Sequence, residues 1–327
     1  MKNPFHLAGR WLTAATLGAA LAAAPALAED YPARPVKIVV GFAPGGANDI
    51  IARLIATELT NAWGQSVVVE NKPGANGAIA FQQVAKSAPD GYTLGLGTAG
   101  PTTMNQSLQK LPFDVLKDFT PIVNLVDAPH ALAVNAKLPV NNLKEFVDYA
   151  KRAGTPLSYS SPGIGNSGHF AMEMLKQQTG MALTHIAYKG AAPALNDLIA
   201  GHVQAYFTSA AALLPHVNTG TIKVLAITSD KRLPLLPDVP TMAEAGFPDF
   251  EFPVYGGLLG PAGMPPQVVQ KINADANRAL KSPAFLDALR QNAMVAWGGT
   301  AEDFRSFLVT DLARWGKVVK AGNIRPE

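Results

Sequence analysis

Residues 36–56 constrain the fold of this chain more than any other stretch. A β-branched run from Val36 to Val40 meets a Gly/Pro turn ending at Gly46, and an apolar helical face begins at Ile50. The pattern predicts a strand, a tight turn and a helix, a junction that aims unpaired backbone N–H groups and the positive end of the helix dipole at one point. The sequence therefore indicates either an anion site or a turn that needs glycine only for its backbone angles.

The first turn lacks the residues of a nucleotide-hydrolysing P-loop. Gly41 and Gly46 have the spacing of that motif, but Ala47 and Asn48 stand where its lysine and hydroxyl residue belong. The dinucleotide fingerprint G-x-G-x-x-G is also absent from this turn. If the turn binds an anion, a carboxylate or a phosphate outside nucleotide chemistry is expected.

A second strand–turn–helix junction, within 158–172, does match the G-x-G-x-x-G spacing. A dinucleotide site also needs an acidic residue at the end of the next strand, and the corresponding segment offers Tyr188 and Lys189 instead. What remains is a second helix start with exposed amides. Its polar donors are Ser160, Asn166 and Ser167. Two such turns facing each other across a cleft suit a small dicarboxylate.

The N-terminal segment 1–28 has the pattern of a cleaved signal peptide. A positively charged start precedes an apolar stretch at 11–24 and the cleavage pattern Ala26-Leu27-Ala28. A membrane anchor is the alternative, but the stretch is short and Pro25 interrupts it. We therefore expect a protein that is secreted across a membrane.

Charge and cysteine content exclude some classes of protein. The chain has 27 basic and 24 acidic side chains, and this near balance argues against a nucleic-acid partner. It has no cysteine, which excludes a lipoprotein anchor and disulfides. A chain of this length buries a core large enough to fold without disulfides.

Strands and helices alternate after the signal segment, as expected for parallel sheets covered by helices. The first series has predicted strands at 36–40, 66–71 and 92–98 and helices at 47–62 and 76–88. The second has strands at 157–160, 184–188 and 203–208 and helices at 167–178 and 192–200. A returning strand at 254–259 is followed by helices at 266–281, 283–291 and 301–320.

This order predicts an α/β protein of two lobes, each a mainly parallel sheet flanked by helices. The expected first lobe comprises 29–128 and 253–327, and the second comprises 129–252. One apolar segment, 121–135, is long for a strand and is expected to pass between the lobes. The Pro-rich segment 230–253 is expected to be a connection.

Catalytic patterns are incomplete. The segment Gly165-Asn-Ser-Gly-His169 only partly resembles a nucleophile elbow, although a secreted hydrolase using Ser167 remains an alternative. The histidines after the signal segment are scattered without metal-ligand spacing, so no metal or cofactor is expected. Asp49 and Arg53 are four residues apart on the first helix, and we expect Asp49 to organise the turn rather than act as a general base.

Ordered motifs covering nearly the whole chain after residue 28 resemble the Bug family, the TctC-like receptors of tripartite tricarboxylate transporters. They lie at 32–49, 69–77, 87–94, 185–198, 236–246 and 260–265. The resemblance implies a two-lobed periplasmic-binding-protein fold (a Venus flytrap, type II-like) and a monomer that binds small carboxylates: di- or tricarboxylates, aromatic acids or amino acids. It also implies binding by backbone amides and ordered water, and delivery to inner-membrane transporter subunits. A protein that feeds a membrane sensor kinase is the alternative.

The resemblance and the two junctions together define the predicted ligand-binding residues. In the first lobe they are Phe42, Ala43, Pro44, Gly45, Gly46, Asp49, Thr98 and Ala99. In the second lobe they are Ser160, Gly163, Gly165, Asn166, Ser167, His169 and Tyr188. Gln204 and Tyr255 depart from the family pattern, and ligand preference would differ if either faced the cleft.

Overall fold

The computed structural model describes residues 31–325, so the predicted signal peptide lies outside the described residues. The strands are β1 (Val36–Val40), β2 (Val67–Asn71), β3 (Thr93–Thr98), β4 (Phe119–Asp127), β5 (His130–Asn135), β6 (Leu157–Ser161), β7 (Leu183–Ala187), β8 (Ala205–Ser209), β9 (Ile222–Ile227), β10 (Tyr255–Pro261) and β11 (Val295–Ala296). The helices are α1 (Ala47–Trp63), α2 (Ala78–Ala85), α3 (Asn105–Leu108), α4 (Leu143–Arg152), α5 (Ser167–Thr179), α6 (Ala191–Ala200), α7 (Ala210–Asn218), α8 (Pro266–Ala279), α9 (Pro283–Gln291) and α10 (Ala301–Gly322).

The strands form two sheets, which confirms the two-lobed α/β fold. The first sheet has the order β11-β4-β10-β3-β1-β2, and the second has the order β7-β6-β8-β5-β9. In the first sheet β1 pairs in parallel with β2 and β3, whereas β10 runs antiparallel to both of its neighbours. In the second, β6 is parallel to β7 and β8, and β5 is antiparallel to β8 and β9. Each sheet is therefore mixed. The strand that runs antiparallel to its neighbours, β10 in the first sheet and β5 in the second, is the one that the chain enters after crossing from the other sheet. "First lobe" and "second lobe" below mean these sheets with their helices.

The segment 121–135 passes between the lobes as expected, and it does so as two strands, one in each sheet. β4 ends at Asp127 and β5 begins at His130, and Pro129 between them has no N–H to donate to a ladder. The return crossing lies alongside. The Ala128 N–H donates to the Val254 carbonyl (2.8 Å), and the Val254 N–H donates to Asp127 Oδ1 (3.1 Å). Two hydrogen-bonded crossings therefore connect the lobes.

The last helix packs against both lobes. α10 lies on β4 of the first sheet and on α5 of the second lobe. Its fully buried Trp315 packs edge-on against Phe170 (5.5 Å between ring centroids) and Phe252 (5.1 Å). The buried carboxylate of Asp311 accepts from Trp315 Nε1 (2.9 Å) and from Thr103 Oγ1 (2.6 Å). α10 therefore belongs to a core shared by the two lobes.

None of the helices in the described part of the chain is both long and apolar enough to span a membrane.

Candidate functional site: two glycine turns at the lobe interface

Asp49 holds the first-lobe turn together. Its Oδ2 accepts from the Gly45 N–H and from Arg53 Nε, both at 2.9 Å. Its Oδ1 accepts from Asn71 Nδ2 (2.9 Å), which also donates to the Phe42 carbonyl (3.1 Å). The hydrogen bond from Arg53 is the main reason that the pKa of Asp49 is lowered to about 2. These contacts give Asp49 the organising role expected from the sequence.

The turn itself is exposed. Ala43, Pro44, Gly45 and Gly46 are on the surface, and Phe42 is partly buried. Gly45 has φ +86°, a conformation that side chains disfavour, whereas Gly46 has φ −84°. Among the described residues no side chain caps α1 at Gly46, so its first amides are open to an external acceptor.

The second-lobe turn is held by two histidines. The Ser161 hydroxyl lies 2.6 Å from His185 Nε2 and 2.9 Å from the Gly163 carbonyl, and the Gly165 N–H donates to His169 Nδ1 (3.2 Å). The two imidazoles stack at 3.9 Å between ring centroids. Burial lowers the pKa of each to about 4, so both are neutral and His169 can accept the bond from Gly165. His169 is only 6% exposed, so its side chain supports the turn from the protein interior.

Ser167, the first residue of α5, pairs with a histidine that the sequence did not connect to it. Its hydroxyl lies 2.8 Å from His130 Nε2 at the start of β5. The other ring nitrogen of His130 faces the Ala128 carbonyl at 3.4 Å, and burial lowers its pKa to about 4. A hydrolytic base needs a carboxylate or equivalent partner and a pKa near the working pH. The pair thus differs from a hydrolase dyad in both respects.

Most of the remaining predicted residues are buried or make hydrogen bonds within the protein. Ser160 is fully buried and its hydroxyl donates to the Ala194 carbonyl (3.1 Å). Thr98 and Ala99 are buried, and the Thr98 carbonyl accepts from Thr102 Oγ1 (2.6 Å). Asn166 caps α5 by accepting from the Gly168 N–H (2.9 Å). Their side chains therefore support the turns, and the structure does not bring Ser160 to the surface.

Tyr188 and the two departures from the family pattern also have internal partners. The Tyr188 hydroxyl donates to Asp197, and burial together with this contact raises its pKa to about 12. Tyr255 is buried in the first lobe, where its hydroxyl pairs with Thr102 and its ring packs against Phe304. Gln204 accepts from the Ser158 N–H (2.8 Å).

The loop Ala75–Gly77, which was not among the predicted ligand-binding residues, lies between the two turns. The backbone of Gly77 packs so closely against Gly41 that a Cβ on Gly41 would lie 2.7 Å from Gly77 Cα. The neighbouring Asn76 directs Nδ2 to the Gly165 carbonyl across the lobes, at 3.5 Å. A Cβ on Gly165 would lie 2.9 Å from Leu108 Cδ2 of the first lobe. The Ala75–Gly77 loop thus contacts Gly41, next to the first turn, and Gly165 of the second turn.

Asn76, His130 and His185 are the polar residues of this region that sequence reasoning did not select. Asn76-Gly77 is a dipeptide typical of turns and lies within one of the family motifs, so a signal was present. His130 and His185 are far from their partners in sequence, and no local pattern could have paired them.

Two α/β lobes joined by two crossings of the chain are typical of two-lobed solute-binding proteins. Residues 51–324 match the family model described as "Tripartite tricarboxylate transporter family receptor". The chain belongs to this family of receptors.

Similar proteins cover nearly the same length. BugT of Bordetella pertussis is 36% identical over 91% of this chain and 92% of its own. The solved structure of R. palustris Rpa4515 with adipate is 36% identical, with a TM-score of 0.81, over 91% of this chain and 100% of that one. MatC from Rhodopseudomonas palustris with bound malate is 32% identical, with a TM-score of 0.77, over 88% and 100% respectively.

Proposed function

We propose that this protein captures a small carboxylate between its two lobes in the periplasm. It then delivers the ligand to inner-membrane subunits of a tripartite tricarboxylate-type transporter. The observation that carries the proposal is the pair of glycine turns, Phe42–Gly46 and Ser160–His169, on either side of the lobe interface. Relatives solved with adipate and with malate support a dicarboxylate as the class of ligand.

The proposed boundaries follow the crossings between the lobes. We place residues 29–128 and 253–327 in the first lobe and 129–252 in the second, with 1–28 as the cleaved export signal. Ligand contact with both lobes stabilises the closed arrangement by its differential affinity for that arrangement. The two hydrogen-bonded crossings, 127–130 and 252–255, are the positions at which the lobes rotate.

Neutral donors hold the carboxylate in this proposal. The exposed turn contains no lysine or arginine, and the Arg53 side chain is bound to Asp49 and Asn71. Backbone amides at an uncapped helix start bind anions through direct hydrogen bonds and the helix dipole. In the second lobe the backbone amides at the start of α5 are the candidate donors, because the Ser167 hydroxyl donates its one proton to His130 Nε2 (2.8 Å), whose Nδ1 faces the Ala128 carbonyl.

Hydrolysis is the second candidate, because Ser167 and His130 are within hydrogen-bond distance. We propose that the pair does not react, since His130 faces a backbone carbonyl rather than a carboxylate and its pKa, lowered to about 4, makes it a weak base. A serine activated by such a histidine gains little nucleophilicity.

The proposal is tested by titrating the purified protein with adipate, malate and glutarate. A dicarboxylate at 100 times its dissociation constant raises the free energy of unfolding by about 2.7 kcal/mol, which a thermal melt detects. Small-angle scattering with the same acid should give a smaller radius of gyration, and the acid should be recovered unchanged. For the second candidate, p-nitrophenyl acetate is incubated with the protein and with Ser167→Ala.

Two outcomes contradict the proposal. If no dicarboxylate or other small organic acid stabilises the protein, the turns are structural. If p-nitrophenyl acetate is turned over and Ser167→Ala abolishes the turnover, Ser167 is a nucleophile and the protein is a hydrolase.

A further inference from the structure

The last helix, α10, links the two lobes at a place separate from the two chain crossings. Its first part packs on the first lobe. Phe304 and Phe307 contact Tyr255 of β10, with 5.7 and 5.1 Å between ring centroids. Further along the helix, the Leu312 carbonyl accepts from Ser107 Oγ of α3 (3.3 Å). The helix is therefore anchored to the first lobe as far as Leu312.

The rest of α10 packs on the second lobe. The Trp315 ring contacts Phe170 of α5, with 5.5 Å between ring centroids. The Val318 carbonyl accepts from Gln177 Nε2, also of α5 (3.0 Å). At the helix end, a Cβ on Gly322 would lie 2.7 Å from the same Gln177 nitrogen. The carboxyl-terminal turns of α10 are thus attached to the second lobe through α5.

The change from one lobe to the other falls beside the return crossing. Trp315 also packs on Phe252 at the start of the crossing 252–255, with 5.1 Å between ring centroids. Arg314, one residue earlier, pairs with Glu251 (2.8 Å). Because the lobes are proposed to rotate at the crossings, a rotation would turn the two ends of α10 relative to each other.

A glycine follows Trp315 directly. Gly316 is exposed in the interior of the 22-residue helix, and a Cβ there would have no neighbour within 4 Å in the described part of the chain. Close packing therefore does not require glycine at this position. Glycine weakens a helix interior relative to alanine, because it loses more backbone freedom on folding. The helix is thus weakest next to the point at which its partners change lobe.

We propose that α10 is a third connection between the lobes and that it bends at Gly316 when the lobes open. The turns after Gly316 then move with α5, although the chain crossings place them in the first lobe, and the turns up to Leu312 stay on β10 and α3. The inference rests on the lobe rotation proposed above and adds a control on it. Because ligand enters through the open arrangement, the stiffness of α10 sets how much of the protein is open.

Distances between pairs of spin labels in the purified protein test this inference. The chain has no cysteine, so each introduced cysteine is a unique attachment point. The pair that spans the bend is Lys320→Cys with Asn61→Cys, which join the end of α10 to α1 of the first lobe. The matched pair on the first part of α10 is Arg305→Cys with Asn61→Cys, and the second-lobe pair is Lys320→Cys with Lys151→Cys. All four positions are exposed.

The measurement is made first on the protein without ligand. The Lys320–Asn61 distances should be spread at least about twofold more widely than the Arg305–Asn61 distances, because only the former span the bend. The Lys320–Lys151 distances should be as narrowly distributed as the Arg305–Asn61 distances, because both of their ends belong to the second lobe in this proposal.

Gly316→Ala tests the position of the bend. Alanine disfavours bending of the helix, so this variant should narrow the Lys320–Asn61 distribution. The control Lys317→Ala, at the next exposed position of α10, should leave the distribution unchanged.

The inference is overturned if the Lys320 and Arg305 labels give equally narrow distances to Asn61, since the whole helix would then move with the first lobe. It is also overturned if Gly316→Ala gives the same Lys320–Asn61 distribution as the unaltered helix. Adipate binding is measured separately by calorimetry. The expected distances in a protein that does not bind adipate would support the bend at Gly316 and contradict only the proposed ligand.

Discussion

Replacing Asp49 by asparagine should loosen the first-lobe turn and lower stability. The carboxylate accepts three hydrogen bonds, and an amide at this position would bring its own NH₂ group against the Gly45 N–H or Arg53. The pKa of Asp49 is about 2 against an ordinary 3.8, which corresponds to about 2 kcal/mol of stabilisation at neutral pH. Because the Arg53 side chain is 53% exposed and screened by solvent, we expect a loss of about 1–2 kcal/mol.

Thermal melts at two pH values measure this effect. At pH 7 the melting temperature of Asp49→Asn should be about 2–6 °C below that of the unaltered protein. The folded pKa is depressed, so the stabilisation is present above the unfolded pKa and is lost as pH falls through the folded pKa of about 2. At pH 3 the difference between the two proteins should therefore be roughly half of its value at pH 7.

Asp148→Asn is the matched control for Asp49→Asn. Asp148 also pairs with a cation four residues away, Lys144 at 2.9 Å, but both side chains are exposed on α4. Exposed pairs of this kind contribute about 0.3–0.5 kcal/mol. If the Asp49 and Asp148 variants melt at the same temperature, or if the Asp49 difference does not shrink at low pH, the organising role of Asp49 is refuted.

Three further predictions concern the second lobe. Gly168→Ala should lower the free energy of unfolding, measured by denaturant titration, by more than about 2 kcal/mol, because the new Cβ would lie 2.0 Å from the Phe207 carbonyl oxygen. The control Gly154→Ala should lower it far less, because a Cβ there has no neighbour within 4 Å among the described residues. The folded pKa values of His130, His169 and His185 are lowered to about 4, so the unfolded chain binds more protons than the folded protein below pH 6.5. The free energy of unfolding should therefore fall as the pH is lowered from about 6.5 toward 4. The variant His169→Phe should show a smaller fall, and a pH dependence equal to that of the unaltered protein would contradict this role. Lys189→Met should weaken dicarboxylate binding less than about tenfold by calorimetry, and a loss of a hundredfold would mean that an ion pair anchors the ligand.

The elements that sequence reasoning placed correctly are those with local signals. The run Val36–Val40 and the helix after Gly46 follow from β-branched residues, glycine and apolar spacing, and the Asp49–Arg53 pair follows from their separation by one helical turn. The family motifs supplied the two-lobed architecture. Three helices, α3, α4 and α7, were missed. α4 has the capping pair Asn142 and Glu145, a signal that was available, whereas Pro215 inside α7 argued against a helix.

The parts that could not be predicted depend on contacts between distant residues. The π-helical turn Gly100–Met104 has the composition of a loop, and Thr103 is fixed by Asp311 from α10. The mixed direction of both sheets arises where the chain crosses between lobes, and only Pro129 marked that point. The pairing of Ser167 with His130 spans 37 residues.

The central claim is that the exposed turn of the first lobe binds one end of the ligand. It is tested most directly by calorimetric titration of Gly46→Val with the dicarboxylate that best stabilises the unaltered protein. A Cβ at Gly46 has Ala43 O as its nearest atom, at 4.0 Å, and φ is −84°, so valine is accommodated and extends outward from the turn. The control Gly154→Val adds the same side chain at an exposed glycine where a Cβ has no neighbour within 4 Å in the described part of the chain. We predict that Gly46→Val weakens binding more than about a hundredfold, a loss of about 2.7 kcal/mol, while Gly154→Val binds normally. Equal affinities for the two variants would contradict the account.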